Sequence, residues 1–181
     1  MKNLEIINKS RTFLRGIKPH RKDLSNAYLS SQQVMEYSGK VRDKVKAKIN
    51  KDLFEKAIKN ILKKRKRKVC LVLVDNYEIK KLNRQYRKKD KVANVLSFPA
   101  VFENQEKIIL PKKEKIYLGE IVISVPQAKK QANFFGYSLN KELIRLFIHG
   151  LLHLLGYEHE KKKEQILMEK IEKKIIKSLK L

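Results

Sequence analysis

The order of apolar and polar positions along the chain predicts alternating strands and helices. The run from Val69 to Val74 is apolar at every position, which is typical of a strand that is covered on both faces. Three further short runs have the composition of strands, and one of them stops before Pro99, which has no N–H to donate. The four predicted strands are Leu4–Asn8, Val69–Val74, Asn94–Phe98 and Tyr117–Ser124.

Apolar side chains spaced three and four residues apart predict five helices between and after these strands. Polar residues that accept hydrogen bonds from free backbone N–H groups mark their starts. The predicted starts are Asp52, Asp75, Ser124 and Asn140, with the last helix covering residues 160–180. In that helix one stripe of apolar side chains predicts packing onto the core, and binding to a membrane surface is the alternative. The stripe consists of Leu167, Ile171, Ile175 and Leu179.

The mixture of strands and helices predicts an α/β or α+β fold, with a small mixed sheet of about four strands and a central helix that starts at Asn140. The sequence does not fix the directions of the strands. We divide the chain into residues 1–50, a first strand with a lysine-rich polar extension, and residues 51–181, the folded domain. Residues 100–115 are expected to form a charged loop.

Charge gives the first indication of a partner. Forty-four Lys and Arg against nineteen Asp and Glu leave a net charge of +25 over 181 residues. Such a chain is attracted to polyanions, and nucleic acid is the leading candidate because phosphate contacts release counterions. A general lysine bias of the source organism is the alternative. The run Lys63–Lys68 has two interpretations as well: contact with phosphates, or a solvated helix end stabilised by the helix dipole.

Cysteine usage and the lengths of the apolar runs indicate the compartment. The single cysteine, Cys70, excludes a disulfide within the chain and lies in a strand-like run, so we expect a buried, inert thiol. The first residues contain no long apolar segment of the kind that secretory signals need. No stretch reaches the roughly 18–20 apolar residues of a membrane span. We therefore expect a soluble cytoplasmic protein without a membrane partner.

Three of the four histidines lie within eleven residues, from His149 to His159. On a helix His149 and His153 are one turn apart and project from the same face. Gly156 permits a left-handed turn that brings His159 to the same point. Three neutral imidazoles leave one position of a tetrahedral zinc ion open for water, as catalytic zinc sites do and structural ones do not.

The residue after His149 distinguishes two hydrolytic chemistries. The spacing of the three histidines is that of metzincin peptidases, which carry a Glu directly after the first histidine as the general base. Here that position is Gly150, which cannot accept a proton, so the peptidase hypothesis lacks its base. Zinc lowers the pKa of a bound water to about 7, and together with the basic surface this favours a phosphodiester as substrate.

Four segments resemble the sequence elements of the YbeY family of bacterial ribosomal RNA maturation factors. The histidine segment is similar to HGxLHLxGYDH, and Leu82–Arg87 is similar to LNxxYR. Asn94–Pro99 resembles T(D/N)VLSFP without its Thr, and Leu118–Ser124 resembles LGDIxIS. They follow the family's order between residues 52 and 175. The departures from these elements are Ala93 for Thr, Glu120 for Asp and Glu158 for Asp.

The resemblance implies a single-strand-specific, metal-dependent endoribonuclease that acts in ribosomal RNA processing, notably at the 3′ end of the small-subunit RNA, and in ribosome quality control. It implies one zinc ion per chain, and single-stranded RNA, ribosomal RNA and the small ribosomal subunit as partners. The implied zinc ligands are His149, His153 and His159, and the implied catalytic residues are Arg87 and His149. Further RNA-binding candidates are Asn94, Ser97, Lys64, Arg65 and Arg67.

Plainer interpretations stay open for several of these residues. Arg87 alone would be a surface charge at a helix end, and Asn94 and Ser97 can hydrogen-bond backbone at a strand edge. The proton donor to the leaving oxygen is a choice between Glu120 and Glu158. For the whole chain the rivals are a non-catalytic, zinc-stabilised ribosome-assembly factor that binds RNA and, behind it, a metallopeptidase.

Tyrosines offer a further means of holding single-stranded RNA. Tyr37, Tyr86 and Tyr157 are candidates for stacking on bases. Packing at the boundary of the core is the default expectation for all three. The fourth histidine, His20, lies in a polar stretch and is assigned no role.

Overall fold

The computed structural model describes residues 4–7, 49–63, 67–99 and 117–181. Most of the predicted extension and all of the predicted charged loop lie outside these residues, as does part of the predicted basic run. The division of the chain at residue 50 therefore stays a prediction. Individual residues outside the described ranges that carried predictions are His20, Tyr37, Lys64 and Arg65.

A four-stranded mixed sheet forms the centre of the described structure, which confirms the predicted class. The strands are β1 (Leu4–Ile7), β2 (Lys68–Val74), β3 (Val95–Pro99) and β4 (Tyr117–Ser124), in the spatial order β1-β2-β4-β3. The first three strands in that order are parallel, and β3 pairs with β4 in the antiparallel direction. Pro99 was expected to stop the third strand but is its last residue. An edge strand tolerates a residue without an N–H.

Five helices accompany the sheet in the described part of the chain. They are α1 (Lys51–Leu62), α2 (Asn76–Arg87), α3 (Val125–Phe134), α4 (Leu139–Leu154) and α5 (Lys162–Ser178). Pro126 stands in the first turn of α3, where its missing N–H has no partner to lose. Gly136 follows the end of α3 with φ +69°, a left-handed conformation that favours glycine.

Two of the predicted helix starts are wrong by two residues. Asn50 caps α1 through its side chain, which accepts a hydrogen bond from the Asp52 N–H at 3.1 Å. Ser138 caps α4 through its hydroxyl, so that Asn140 lies inside the first turn. In both cases a second good capping residue stands upstream of the predicted one, and tertiary packing selects it. The other two predicted caps are confirmed, Asp75 and Ser124.

The two faces of the sheet carry different helices. Leu71 and Leu73 of β2 belong to the main apolar core with α1, α3, α4 and α5. Val72 and Val74, which alternate with them, pack in a second cluster with α2, as does the buried Cys70. Cover on both faces explains the uninterrupted apolar run of β2. The helix that carries the histidines, α4, and helix α2 thus lie on opposite sides of the sheet.

Helix α5 packs onto the main core, and its predicted stripe needs one correction. Met168 is 2% exposed and faces the core, whereas Leu167 is 50% exposed and faces solvent. The other predicted members, Ile171, Ile175 and Leu179, contact the core. The core interpretation of this helix is therefore confirmed. In the described part of the chain, no helix is both long and apolar enough to cross a membrane.

Candidate metal centre

The last two turns of α4 and the loop that follows bring three histidines together. The helix ends in a paired hydrogen-bond arrangement in which Gly156 N–H donates to His153 C=O at 2.9 Å and Tyr157 N–H donates to Leu152 C=O at 3.1 Å. Gly156 has φ +85°, the left-handed conformation that the sequence predicted for it. The chain turns back at this point, so that His159 faces the helix.

The distances between the rings fit a single metal ion. Nε2 of His149 and Nε2 of His153 are 3.2 Å apart, and one ligand nitrogen from each of the three rings lies within 4.8 Å of the other two. A tetrahedral zinc ion with bonds of about 2.0–2.1 Å separates two ligand nitrogens by roughly 3.3 Å. The helix pair is already at that separation, and His159, which is exposed, needs to approach by a small amount only.

Carboxylates stand behind two of the three rings. Nδ1 of His149 is 2.7 Å from Oε1 of Glu172, a half-buried residue of α5. A carboxylate that accepts a hydrogen bond from Nδ1–H leaves the Nε2 lone pair directed at the cluster. Metal-binding histidines are usually supported by a hydrogen bond of this kind. Oε2 of Glu158 lies 3.6 Å from Nδ1 of His153, and Glu158 is largely exposed, so this contact is the weaker of the two.

Burial keeps His153 in the form that binds a metal. Desolvation lowers the pKa of its imidazole, and the neighbouring His149 lowers it further, while Glu158 acts in the opposite direction. A lowered pKa favours the neutral ring at physiological pH. Only the neutral ring offers a lone pair to a cation.

Gly150 is required by the packing of α4 against the sheet. A Cβ at this position would lie 2.8 Å from Cγ2 of Ile121 and 2.9 Å from Oγ of Ser97. The same Ser97 hydroxyl donates a hydrogen bond to the Gly150 carbonyl at 3.1 Å. A Glu at this position, the base of the metzincin peptidases, would have no room. The peptidase hypothesis therefore fails for a steric reason as well as a chemical one.

Of the other predicted site residues, the structure describes Asn94, Ser97, Arg67 and Arg87. Ser97 bonds the backbone of α4, and the Asn94 carbonyl accepts a hydrogen bond from Ser124 N–H at 3.0 Å. The Ser97 contact is of the kind that the structural interpretation describes, whereas the Asn94 contact is made by its backbone and leaves the role of its side chain a prediction. Arg87 lies exposed in the last turn of α2, on the opposite side of the sheet from α4. Arg67 is half-buried in the segment before β2. Their roles in RNA binding and cleavage stay predictions.

Sequence reasoning missed Glu172, because the contact depends on how α5 docks against α4. No local pattern distinguishes this residue from the other acidic residues of a lysine- and glutamate-rich helix. The predicted stacking tyrosines follow the default expectation where they are described. Tyr86 packs edge to face on Phe98 with ring centres 5.1 Å apart, and Tyr157 packs against the main core.

Comparison with known proteins gives a consistent result. The profile of the family described as Endoribonuclease YbeY matches residues 36–180. A protein of Caldicellulosiruptor saccharolyticus with that name is 38% identical over 137 residues, which cover 74% of this chain and 86% of that protein. Its counterpart in Thermoanaerobacter pseudethanolicus is 40% identical over 144 residues, covering 75% of this chain and 91% of the relative.

A match to part of a relative and a match to a solved structure complete the comparison. The Endoribonuclease YbeY of Persephonella marina is 48% identical over 97 residues, and the match spans 54% of this chain and 60% of that protein. Among solved structures, the solution structure of TM1509 from Thermotoga maritima superposes with a TM-score of 0.53 at 26% identity. That alignment covers 97% of this chain and 88% of the other.

Proposed function

The chain belongs to the Endoribonuclease YbeY family, and from that premise we propose that it is a zinc-dependent, single-strand-specific endoribonuclease of ribosomal RNA processing. As a member of this family it is an enzyme, a hydrolase that acts on the phosphoester bonds of RNA. The observation that carries the metal dependence is the convergence of three imidazoles without a fourth protein ligand in the described part of the chain. An open fourth position is a property of catalytic zinc sites.

The donor set supports zinc as the resident ion, one per chain. Three converging imidazole nitrogens, two of them already at tetrahedral spacing, are typical of catalytic zinc, although imidazole also binds nickel and copper. When bound, the ion supplies a Lewis acid and an activated water at neutral pH. His149 and His153 hold it from the helix, and His159 completes the set from the loop.

The chain's own residues have separate tasks in this proposal. Glu172 fixes the ring of His149, the ligand predicted to be catalytic, by accepting a hydrogen bond from its Nδ1–H at 2.7 Å. Arg87 is proposed to hold and neutralise a phosphate of the substrate, for which a guanidinium is suited by its planar pair of donors. Because Arg87 is exposed, a long, flexible strand of RNA can reach it.

Glu158 is the preferred proton donor to the leaving oxygen. It lies beside the histidine cluster, 3.6 Å from His153. The alternative, Glu120, belongs to β4 between residues that face the main core, so its side chain is directed to the side of α2. Its charge acts there on Tyr86, whose pKa is raised mainly by burial and then by Glu120.

The substrate follows from charge and from the family. A net charge of +25 favours a polyanion, and the family name specifies RNA. We propose ribosomal RNA, and in particular the 3′ end of the small-subunit RNA, as the physiological target, with the small ribosomal subunit as partner and a role in ribosome quality control. These assignments rest on the resemblance of the four sequence elements and imply a cytoplasmic location.

Elemental analysis combined with a ribonuclease assay tests the proposal. Purified protein is expected to contain about one zinc per chain, to cleave single-stranded RNA, to lose activity with a chelator and to regain it with zinc. His153→Ala should abolish both zinc content and cleavage, whereas His20→Ala, which removes the histidine outside the cluster, should preserve both. Equal cleavage by the wild type and His153→Ala would refute the metal-dependent mechanism. Metal binding without any cleavage would favour the non-catalytic assembly factor instead.

A further inference from the structure

Three aromatic side chains stand exposed where α3 ends and α4 begins. Phe134 is 82% exposed, Phe135 is 52% exposed and Tyr137 is 40% exposed. We call these three residues the aromatic patch. None of them belongs to either of the buried apolar clusters, so packing of the core does not account for their position. Contiguous exposed aromatic surface marks a place where something binds.

The rings of the aromatic patch contact one another and a lysine. The ring centres of Phe134 and Phe135 are 5.0 Å apart in an edge-to-face arrangement. Phe135 and Tyr137 are stacked with an angle of 25° between their planes and 5.9 Å between their centres. Nζ of Lys141 lies 4.6 Å from the centre of the Tyr137 ring. These contacts hold flat, apolar faces next to a positive charge.

A row of polar side chains on α4 leads from the aromatic patch to the metal centre. Lys141, Arg145, His149 and His153 follow each other at intervals of four residues, which places successive members on neighbouring turns of one side of the helix. The eight residues from Lys141 to His149 correspond to about 12 Å along the helix axis. A single strand of a few nucleotides can follow this row.

Arg145 relates the two ends of the row to each other. Arg145 donates to both carboxylate oxygens of the buried Glu142, at 2.9 and 2.7 Å. Its guanidinium is also within electrostatic reach of Tyr137 at one end and Glu172 at the other. Glu172 in turn is 2.7 Å from His149. The aromatic patch and the histidines therefore share one side of the molecule.

We propose that the aromatic patch is a stacking platform for unpaired bases of the RNA substrate, on which the strand rests while a neighbouring phosphodiester lies at the histidines. The inference rests on the proposed ribonuclease function and adds to it a substrate-binding site. Aromatic faces beside basic groups are the usual means of holding single-stranded nucleic acid without regard to sequence. Bases in a duplex are already stacked on each other, so a platform of this kind selects single strands.

Charge favours RNA over a protein as the occupant. Lys141 of α4 places its charge over the Tyr137 ring, and the nearest charged residues before the patch in sequence are two exposed lysines of α3, Lys129 and Lys130. The nearest carboxylate in sequence, Glu142, is buried and is neutralised by Arg145. Positive charge of this kind attracts a polyanion such as RNA.

Binding without cleavage tests the platform independently of the metal. Fluorescence anisotropy with a labelled oligoadenylate, in the presence of a chelator, compares the wild type with the double variant Phe134→Ala/Phe135→Ala. Loss of base stacking should weaken binding about ten- to a hundredfold. The matched control is Tyr77→Ala, which removes an aromatic side chain that is 66% exposed on the other side of the sheet. This control should bind as the wild type does.

Two further comparisons identify stacking as the cause. Replacement of both phenylalanines by Leu keeps apolar surface but removes the flat rings, and should weaken binding as the Ala variant does. Replacement of both by Tyr keeps the rings and should restore it. An abasic strand of equal length and charge should bind the wild type and the Ala variant equally. Because these side chains are exposed, circular dichroism is expected to show the same unfolding midpoint for all variants.

The outcomes separate this inference from the proposed function. If the double variant cleaves saturating RNA at the wild-type kcat with a raised KM, both stand. If the wild type cleaves RNA but the double variant binds and cleaves it unchanged, the platform is refuted and a protein becomes the candidate occupant. If the wild type binds RNA through the aromatic patch but never cleaves it, the platform stands and the nuclease proposal fails.

Discussion

Replacing Gly150 by Ala tests whether the close approach of α4 to the sheet is required. The new methyl group would lie 2.8 Å from Cγ2 of Ile121 and 2.9 Å from Oγ of Ser97. Both distances are shorter than van der Waals contact, and neither neighbour is the free end of a long side chain. The helix must therefore move away from β3 and β4.

The expected loss of stability follows from three contributions. Overpacking costs about 1–3 kcal/mol, and loss of the hydrogen bond from Ser97 to the Gly150 carbonyl costs about 1 kcal/mol. The higher helix propensity of alanine compared with glycine offsets about 1 kcal/mol of this loss. The free energy of unfolding should thus fall by about 1–3 kcal/mol, as measured by urea denaturation with circular dichroism.

A double-mutant cycle with Ser97→Ala separates the two contacts. Alone, Ser97→Ala removes a hydrogen bond and should destabilise the protein by about 1 kcal/mol. In the Gly150→Ala background it relieves the 2.9 Å contact, so its cost should shrink or change sign. If Gly150→Ala is as stable as the wild type, or gains the stability expected of alanine in a helix, the steric argument is wrong. The same result would also reopen the question of which side chains position 150 can hold.

Three further predictions concern the site and the opposite side of the sheet. Glu172→Gln should lower zinc affinity about ten- to a hundredfold in a competition assay with a chelator. The control Glu169→Gln, on the exposed side of α5, should keep the wild-type affinity. Equal zinc affinities of the two variants would exclude orientation of His149 by the Glu172 carboxylate. Arg87→Ala removes a proposed contact to a substrate phosphate and should reduce kcat/KM for single-stranded RNA by about ten- to a hundredfold. Arg84→Ala on the same helix serves as the matched control, so equal losses in both variants would indicate general charge rather than a specific role. The Tyr86 hydroxyl is buried without a hydrogen-bond partner among the described residues, and burial raises the pKa of this group from 10.0. Because the folded state favours the protonated hydroxyl, the pH does not change stability through this group below pH 10.0. The free energy of unfolding then falls as the pH rises through the higher folded-state pKa. Tyr86→Phe should therefore stabilise the protein by about 1 kcal/mol at neutral pH. It should also reduce the loss of stability at alkaline pH, measured by urea denaturation at a series of pH values. A variant that is less stable than the wild type and loses as much stability at alkaline pH would contradict this.

Local sequence predicted the metal centre because its parts are local. Two histidines one turn apart and a glycine that reverses the chain are sufficient to bring His159 back to His149 and His153. The strands were predictable for a related reason, since short apolar runs report burial directly. The helix starts were less certain, because Asn50 and Asp52 are both good caps and only tertiary packing decides between them.

The contacts that support the centre could not be predicted in the same way. Glu172 reaches His149 only because α5 docks against α4, and no pattern within α5 indicates which of its acidic residues faces inward. The sequence drew attention to Gly150 because it stands where the metzincin peptidases have their general base. Its packing against Ile121, in contrast, depends on a strand some thirty residues earlier. The exposure of Phe134 likewise runs against the expectation that large aromatic side chains are buried.

The three histidine rings of the candidate metal centre differ in how firmly the backbone holds them. Two are anchored on consecutive turns of a helix within the core, and the third follows a left-handed glycine on a solvent-facing connector. If the three rings hold a metal ion as proposed, the exposed His159 is the ligand that can detach without disturbing the helix that carries the other two. Changes confined to residues 157–161 would then alter the residence time of the ion while leaving the scaffold intact.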